Sequence, residues 1–278
     1  MNVKELNPES SPSAAYGARI RELREARGWK QEELGVRMRY SGTHVSAVET
    51  GRKMPTLRFS RRADRAFNLV GSTESFEREW GEIRNGNLLE GFPEFLGLEK
   101  RASEIRLYEV GVIPGLLQTP EYATVLAESR AKRTGITPEQ AQELITVVAE
   151  RQAALIRSNP PLVFALLDES CLRRPVGSPA LMRAQFDRLL EFADQPNTVL
   201  QVIPFTMGEH RPFSLPLYIL TMPDRAVMSY AESAQQGYLE RESTVVLPLL
   251  TAYHQMQAAA PSQAASVDII WQLRKGTL

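Results

Sequence analysis

The stretch from Gln31 to Thr50, QEELGVRMRYSGTHVSAVET, constrains the fold more than any other part of the sequence. Leu34 and Met38 lie four residues apart, which is the spacing that places side chains on one face of a helix. Gly35 stands where a second helix would have to pass closely, because a larger side chain there would push the two helices apart. The stretch therefore predicts two short helices that are joined by a tight turn and cross at a steep angle.

The second of these helices carries its own end signals. Ser41 can accept a hydrogen bond from a backbone N–H group of the first turn, as an N-cap residue does. Val45 and Val48 are spaced to form an inward face. Gly51 can take the left-handed conformation that ends a helix without a Cβ penalty. We predict a helix of about ten residues from this pattern.

The outward face of the second helix carries small or polar residues with almost no charge: Gly42, Thr43, His44, Ser46 and Ala47. A solvated helix face usually carries many charged residues. The major groove of B-DNA admits one helix, where Thr, Ser and His can hydrogen-bond base edges and Ala can contact the thymine methyl group. The face therefore indicates a helix that reads DNA, and a helical hairpin with a solvated face is the alternative.

Charge is concentrated just outside this face, at Lys30, Arg37, Arg39, Arg52 and Lys53. The whole chain has a formal net charge of zero. Residues 1–67 nevertheless contain 14 Lys or Arg and 8 Asp or Glu, a net of +6, whereas the remainder contains 19 against 25, a net of −6. This asymmetry indicates a basic module that approaches phosphates.

Further apolar residues recur at helical spacing from Ser13 to Gly28, from Thr56 to Phe67 and from 72 to 84. Four arginines crowd the outer side of the fourth helix: Arg58, Arg61, Arg62 and Arg65. We predict a five-helix DNA-binding domain over residues 13–84. The polar residues 1–12 precede it, and we expect them to be mobile.

Residues 16 to 68 resemble the Xre, or phage-repressor and Cro, family of helix-turn-helix proteins. The resemblance rests on Tyr16, Gly17, Ile20, Leu23 and Arg24, on QEEL, and on S-x-x-x-V-S-x-V-E-x-G-x-x-x-P from Ser41 to Pro55. It implies phosphate contacts from Gln31, Arg52 and Lys53, and base contacts from Gly42, Thr43 and Ala47. It also implies an ion pair between Arg24 and Glu49 that ties the first helix to the recognition helix.

One position departs from the family pattern. Arg39 stands in the turn where the family usually has glycine, and it is a further candidate for a phosphate contact. The full set of expected DNA contacts is Lys30, Gln31, Arg39, Ser41, Gly42, Thr43, His44, Ser46, Ala47, Arg52 and Lys53. The residues expected to support the recognition helix are Arg24, Gly35, Glu49 and Gly51.

A different composition follows the linker that we predict at residues 85–94, which are rich in Gly, Asn and Pro. Short apolar runs bounded by Pro and Gly predict strands that alternate with helices. Among these elements are a helix from 137 to 157 with Ile156 facing inward, a hairpin of FSLPLYILTM and AVMSYAE, and a helix from Glu240 to Ala259. The predicted fold class is mainly α with a mixed α/β part, in which an α+β regulatory or dimerisation domain spans 95–278.

This second region is similar to the uncharacterised domain that follows an Xre module in many actinobacterial antitoxin-like transcriptional regulators. The resemblance rests on YEVGVIPGLLQTPEYA, ERQAAL, LDESCLRRPVG, QVIPF and YAES. It implies dimerisation or contact with a partner, often a small protein encoded nearby. The segment PGLLQT, comprising Pro114, Gly115, Leu116, Leu117, Gln118 and Thr119, is either a structural turn that plugs a core or a surface for a ligand or partner.

Catalytic chemistry has few candidates. Cys171 lies beside Asp168 and Glu169, and His210 lies beside Glu209, but this spacing fits no local nucleophile signature. The phosphate-loop and HExxH motifs are absent from the sequence, and its single cysteine excludes a multi-cysteine zinc site. We expect no enzymatic activity, no metal and no cofactor.

The sequence as a whole predicts a transcriptional regulator that binds a palindromic operator as a homodimer. It contains no window of eighteen apolar residues and begins without the apolar core of a signal peptide, so we expect no membrane association and a cytoplasmic location. The main alternative is an antitoxin or adaptor whose C-terminal domain binds a small protein while DNA binding serves autoregulation. Small-molecule sensing by the mixed domain is a third possibility.

Overall fold

The computed structural model describes residues 12–85, 88, 89, 91–233 and 236–276. The chain divides between Leu88 and Leu89 into two compact units, which are called here the N-terminal unit and the C-terminal unit. The predicted mobile segment, apart from Pro12, lies outside the described residues, as do residues 86, 87 and 90 of the predicted linker. Among the described residues, no helix combines the length and the apolar character that a bilayer crossing requires.

The described part of the N-terminal unit consists of five helices: α1 (Pro12–Glu25), α2 (Gln31–Met38), α3 (Gly42–Glu49), α4 (Leu57–Phe67) and α5 (Phe76–Asn85). Their shared core is built from aromatic and aliphatic side chains, including Tyr16, Phe59 and Phe76, which are fully buried. The predicted five-helix architecture is therefore confirmed.

The joint between α2 and α3 follows from small residues and caps. A Cβ atom on Gly35 would lie 2.7 Å from the carbonyl oxygen of Tyr40, so the helices can approach this closely only with glycine there. Ser41 caps α3, since its Oγ accepts a hydrogen bond from the His44 N–H at 3.1 Å. Val45 and Val48 are buried in the core as predicted. The helix has 8 residues and is slightly shorter than expected.

The C-terminal unit alternates helices and strands. Its described helices are α6 (Phe92–Glu99), α7 (Pro120–Thr134), α8 (Pro138–Ala153), α9 (Glu169–Arg173), α10 (Pro179–Ala193), α11 (Ser243–Ala259) and α12 (Gln263–Lys275). Its described strands are β1 (Glu104–Glu109), β2 (Leu162–Asp168), β3 (Thr198–Ile203), β4 (Leu217–Thr221), β5 (Val227–Glu232) and β6 (Gly237–Glu240).

The six strands form one mixed sheet in the order β3-β2-β1-β4-β5-β6. The strands β1, β2 and β3 are parallel neighbours, and β4 to β6 continue from β1 as an antiparallel meander. Helices α7, α8 and α10 occupy the crossovers between the parallel strands. The mixed α/β part of the predicted fold class is confirmed.

Three details of this unit differ from the sequence prediction. The helix expected over 137–157 ends at Ala153, a 3₁₀ turn follows, and Ile156 is 82% exposed instead of inward. Arg157 donates to the backbone carbonyls of Lys100 and Ala102, which draws the chain out of the helix and toward β2.

The other two details concern the boundary between β6 and α11 and the start of α6. Glu240 is the last residue of β6, a strand that the sequence reasoning missed, and α11 starts only at Ser243. The Glu240 carboxylate accepts the N–H groups of Arg241 and Glu242, each at 2.7 Å, and so forms a turn between strand and helix. Helix α6 begins at Phe92, inside the stretch that was predicted to be a linker.

Candidate nucleic-acid interface

The outward side of α3 is open to solvent along its length. Its residues Gly42, Thr43, His44, Ser46 and Ala47 are called here the reading face. Thr43 is exposed, and the other four are partly exposed. The face therefore presents small and polar groups within a folded helix, as a surface that enters a groove requires.

A buried ion pair fixes α3 from behind. Glu49 is fully buried and accepts hydrogen bonds from Arg24 Nε at 2.6 Å and Nη2 at 2.9 Å. The guanidinium Nη1 group of Arg24 also donates to the carbonyl of Trp29 at 2.8 Å. A buried pair is rigid when further hydrogen bonds satisfy its polar atoms, as they do here. This arrangement links α1, the α1–α2 connection and the last residue of α3.

The side chain of Gln31 joins the same network. Its Nε2 group donates to Glu49 Oε2 at 2.8 Å, so the amide that was expected to contact a phosphate is already engaged within the unit. Gln31 is the first residue of α2, and backbone N–H groups at a helix start remain able to bind a phosphate. The structure thus gives the Gln31 side chain a supporting role that the sequence reasoning missed.

His44, in the reading face, packs against two aromatic rings of the N-terminal unit. Its ring lies 4.5 Å from the ring of Tyr40 and 5.6 Å from that of Phe59, centroid to centroid. Burial, assisted by the positive charge of Lys53, lowers the pKa of His44. The imidazole is therefore neutral at neutral pH and only its free edge is available to a base.

Four basic side chains lie at the ends of α2 and just after α3 and are called here the basic rim: Lys30, Arg39, Arg52 and Lys53. All four are exposed. Arg52 Nε donates to Thr50 Oγ1 at 2.9 Å, which holds its guanidinium next to the end of α3. Arg37, also basic, is directed elsewhere, because its guanidinium stacks on the Trp29 ring at 4.2 Å.

Arg39 occupies the left-handed region, with φ 54° and ψ 48°. The turn therefore has the conformation that glycine adopts most easily, although the side chain is arginine. Tyr40 N–H donates to the Gly35 carbonyl at 2.8 Å, so the turn is closed as a normal helix end.

Glycines set the spacing around α3. A Cβ on Gly42 would lie 3.1 Å from Glu32 Cγ, so this glycine is packed against α2 as well as placed on the reading face. Gly51 has a φ of 64° and ends the α3 region as predicted. A Cβ on Gly17 would collide with the Val48 carbonyl oxygen, so this glycine in the middle of α1 lets α1 and α3 pack closely. A glycine inside a predicted helix was the only signal in the sequence for this packing role.

The PGLLQT turn, Pro114–Thr119, is part of the core of the C-terminal unit. Leu116 and Leu117 are fully buried, and the Gln118 amide donates to the Ile113 carbonyl at 2.7 Å. Gln152 donates to the carbonyls of Gly115 and Gln118, at 2.7 and 2.9 Å. These contacts are the ones expected of a structural turn that fills the core. Among the described residues, no contact supports the alternative of a surface for a ligand or partner.

Two of the catalytic candidates, Cys171 and Asp168, make contacts within the C-terminal unit. The Cys171 thiol is buried, which raises its pKa, and Sγ donates to the Glu109 carbonyl at 3.2 Å. Burial alone would raise the pKa of Asp168, but hydrogen bonds from Ser170 and Arg211 outweigh it and lower the pKa. His210 is largely exposed and lies 3.7 Å from the Glu209 carboxylate. A buried, protonated thiol is a poor nucleophile.

Two families match the chain. Residues 15–74 match a family described as Helix-turn-helix domain, which covers α2 to α4 and most of α1. This match and the geometry of α3 indicate a DNA-binding regulator. Residues 92–272 match a family described as Domain of unknown function (DUF5753). No curated protein and no solved structure matches the chain. Because the second family covers more than half of the sequence, the chain belongs to the DUF5753 family.

Proposed function

We propose that this protein is a cytoplasmic transcriptional regulator of the Xre type that binds a specific operator as a homodimer and is not an enzyme. The observation that carries the proposal is the reading face of α3, uncharged, open to solvent and bordered by the basic rim. In this arrangement the rim contacts phosphates and fixes the register, while Thr43, Ser46 and Ala47 contact base edges.

Two copies are needed for tight, specific binding. A single small module buries only about 600–1,000 Å² on DNA, whereas two modules on half-sites about one helical turn apart double the contacts. The dimer would therefore read an operator with two-fold symmetry.

Helix α11 is the surface that best suits association with a second copy. Its 17 residues include no Asp, Glu, Lys or Arg, yet Val245 and Leu247 are 47% and 51% exposed. A surface helix normally carries charge on its outer side. Two α11 helices related by two-fold symmetry could pack without like-charge repulsion, and regulation would act through that contact.

The DNA-binding proposal is tested with fluorescence anisotropy on duplexes selected from genomic fragments. The logarithm of affinity should fall linearly with the logarithm of salt concentration, and Arg52→Ala should reduce that slope by about 0.9 because one phosphate contact is lost. Arg130→Ala, at an exposed position on α7, should leave the slope unchanged. Affinity that does not depend on salt would refute the proposal.

An antitoxin-like or adaptor function is the second candidate, and the same observation on α11 favours it, since a small partner protein could cover this helix instead. Light scattering on the purified chain separates the two. A dimer that dissociates when Leu247→Lys is introduced supports self-association. A monomer that forms a stable complex with a small protein encoded nearby, in the absence of DNA, supports the alternative.

A further inference from the structure

Arg62 lies on α4, but its guanidinium reaches the joint between α2 and α3. Its Nη1 group donates to the carbonyl oxygens of Met38 at 3.0 Å and Arg39 at 3.1 Å. These carbonyls lie at the C-terminal end of α2, where acceptors lack partners within the helix and the helix dipole is negative. One side chain therefore satisfies two acceptors at the joint.

The same guanidinium also lies over the ring of Tyr40, 5.3 Å from its centroid. Tyr40 follows the left-handed residue Arg39 and precedes the α3 cap Ser41. Its ring packs against His44 in the first turn of α3, at 4.5 Å. Arg62 thus holds the last turn of α2 and, through Tyr40, the first turn of α3.

We propose that Arg62 is a positioning residue for DNA reading, which sets the orientation of α3 without contacting the duplex. The inference rests on the proposed function. Arginine suits this position because its planar guanidinium donates in fixed directions and stacks on a ring at the same time, which a lysine ammonium cannot do. The rival role is a direct phosphate contact, as the arginine-rich sequence of α4 would suggest.

The two roles differ in their dependence on salt, because only a phosphate contact contributes to counterion release. The experiment uses the full chain with Arg62→Met, Arg62→Lys and the control Arg65→Met, which changes an exposed arginine further along α4. The wild-type chain first selects duplexes from a randomised library. Each variant is then titrated with the selected duplex and with an unrelated duplex over a range of salt concentrations.

The positioning role predicts that Arg62→Met weakens binding to the selected duplex by roughly tenfold, the effect of losing hydrogen bonds from a charged donor. Binding to the unrelated duplex and both salt slopes should stay unchanged. Arg62→Lys should keep the fold but not restore the affinity ratio between the duplexes. Two results would overturn the inference: an unchanged ratio in both variants, or a slope reduced by about 0.9 with both duplexes weakened.

Hydrogen exchange of the free protein supplies a readout that needs no DNA. The amides of residues 39–45 should exchange faster in Arg62→Met than in the wild type or Arg65→Met. Equal exchange would refute the positioning role even if the wild type selects a sequence. If the wild-type chain selects no duplex sequence from the library, the proposed function fails. The exchange result then shows separately whether Arg62 holds the joint between α2 and α3. If Arg62→Met unfolds the N-terminal unit, the affinity ratio of Arg62→Lys decides.

Discussion

The reading face of α3 and the PGLLQT turn are both short, uncharged segments, and a glutamine side chain supports each of them. Gln31 bonds to the buried carboxylate of Glu49, the last residue of α3, which is not part of the reading face. Gln185 bonds directly to the PGLLQT backbone, at Leu117 O and Thr119 N. The contrast shows that composition alone does not distinguish a candidate recognition surface from a buried turn. What distinguishes them is burial, since Leu116 and Leu117 are fully buried whereas every residue of the reading face is exposed or partly exposed.

The largest expected effect comes from breaking the support of α3. Glu49→Ala removes both carboxylate oxygens and leaves the buried Arg24 guanidinium without its main partner. Removing one member of a buried pair costs about 3–5 kcal/mol. Hydrogen exchange of α1 and α3 amides under native conditions should report that loss, with the C-terminal unit unaffected. Glu25→Ala is the control, because Glu25 also contacts Arg24 but is exposed, and its effect should stay below about 1 kcal/mol.

The matching change in the other region is Gln185→Ala. Gln185 is fully buried, and its loss leaves the Leu117 carbonyl and the Thr119 N–H group without their partner. We expect a cost of about 2–3 kcal/mol in the free energy of unfolding, since an unsatisfied buried polar group costs about 1–3 kcal/mol. Denaturant unfolding measures it. DNA affinity should not change, and a large loss of affinity would mean that the turn serves recognition after all. Arg183→Ala, exposed on the same helix, is the matched control.

The glycines of the two regions provide a finer comparison. Gly35→Ala places a methyl group 2.7 Å from a backbone carbonyl oxygen, which cannot move without shifting α3. We expect a cost of about 1–3 kcal/mol, the usual range for overpacking. Gly115→Ala meets only side-chain atoms, the nearest at 3.3 Å on Arg151, so its cost should stay below about 1 kcal/mol. Equal melting temperatures for the two variants would contradict the close crossing of α2 and α3.

The parts that the sequence predicted correctly are those determined by nearby residues. Caps such as Ser41, the inward pair Val45 and Val48, and the close approach at Gly35 all act within about ten residues of chain. The alternating helices and short apolar strands of the C-terminal unit were likewise visible as local patterns.

The errors arise where distant residues decide the outcome. Ile156 has a helical pattern around it, but Arg157 bonds to carbonyls more than fifty residues away and ends the helix early. Strand β6 was missed because its 4 residues become a strand only by pairing with β5. In the candidate interface, the sequence did not reveal that the Gln31 side chain bonds to Glu49 or that the Arg62 side chain bonds to the carbonyls at the end of α2, because tertiary packing sets both partners. The phosphate contact expected of Gln31 stays a prediction.

The smallest expected change, Arg39→Gly, separates stability from recognition at one position. Arg39 has a left-handed backbone conformation, which costs a non-glycine residue roughly 1–2 kcal/mol, although glycine loses more backbone entropy on folding. The variant should therefore be more stable by up to about 1 kcal/mol, measured by denaturant unfolding. If Arg39 contacts a phosphate, the same variant should bind DNA less tightly and with a smaller salt slope.

Asn68→Gly, at the left-handed end of α4, is the control that should gain stability with no change in binding, because asparagine carries no charge to lose. Higher stability with unchanged affinity would exclude Arg39 from the rim and leave recognition to α3 and the residues that follow it.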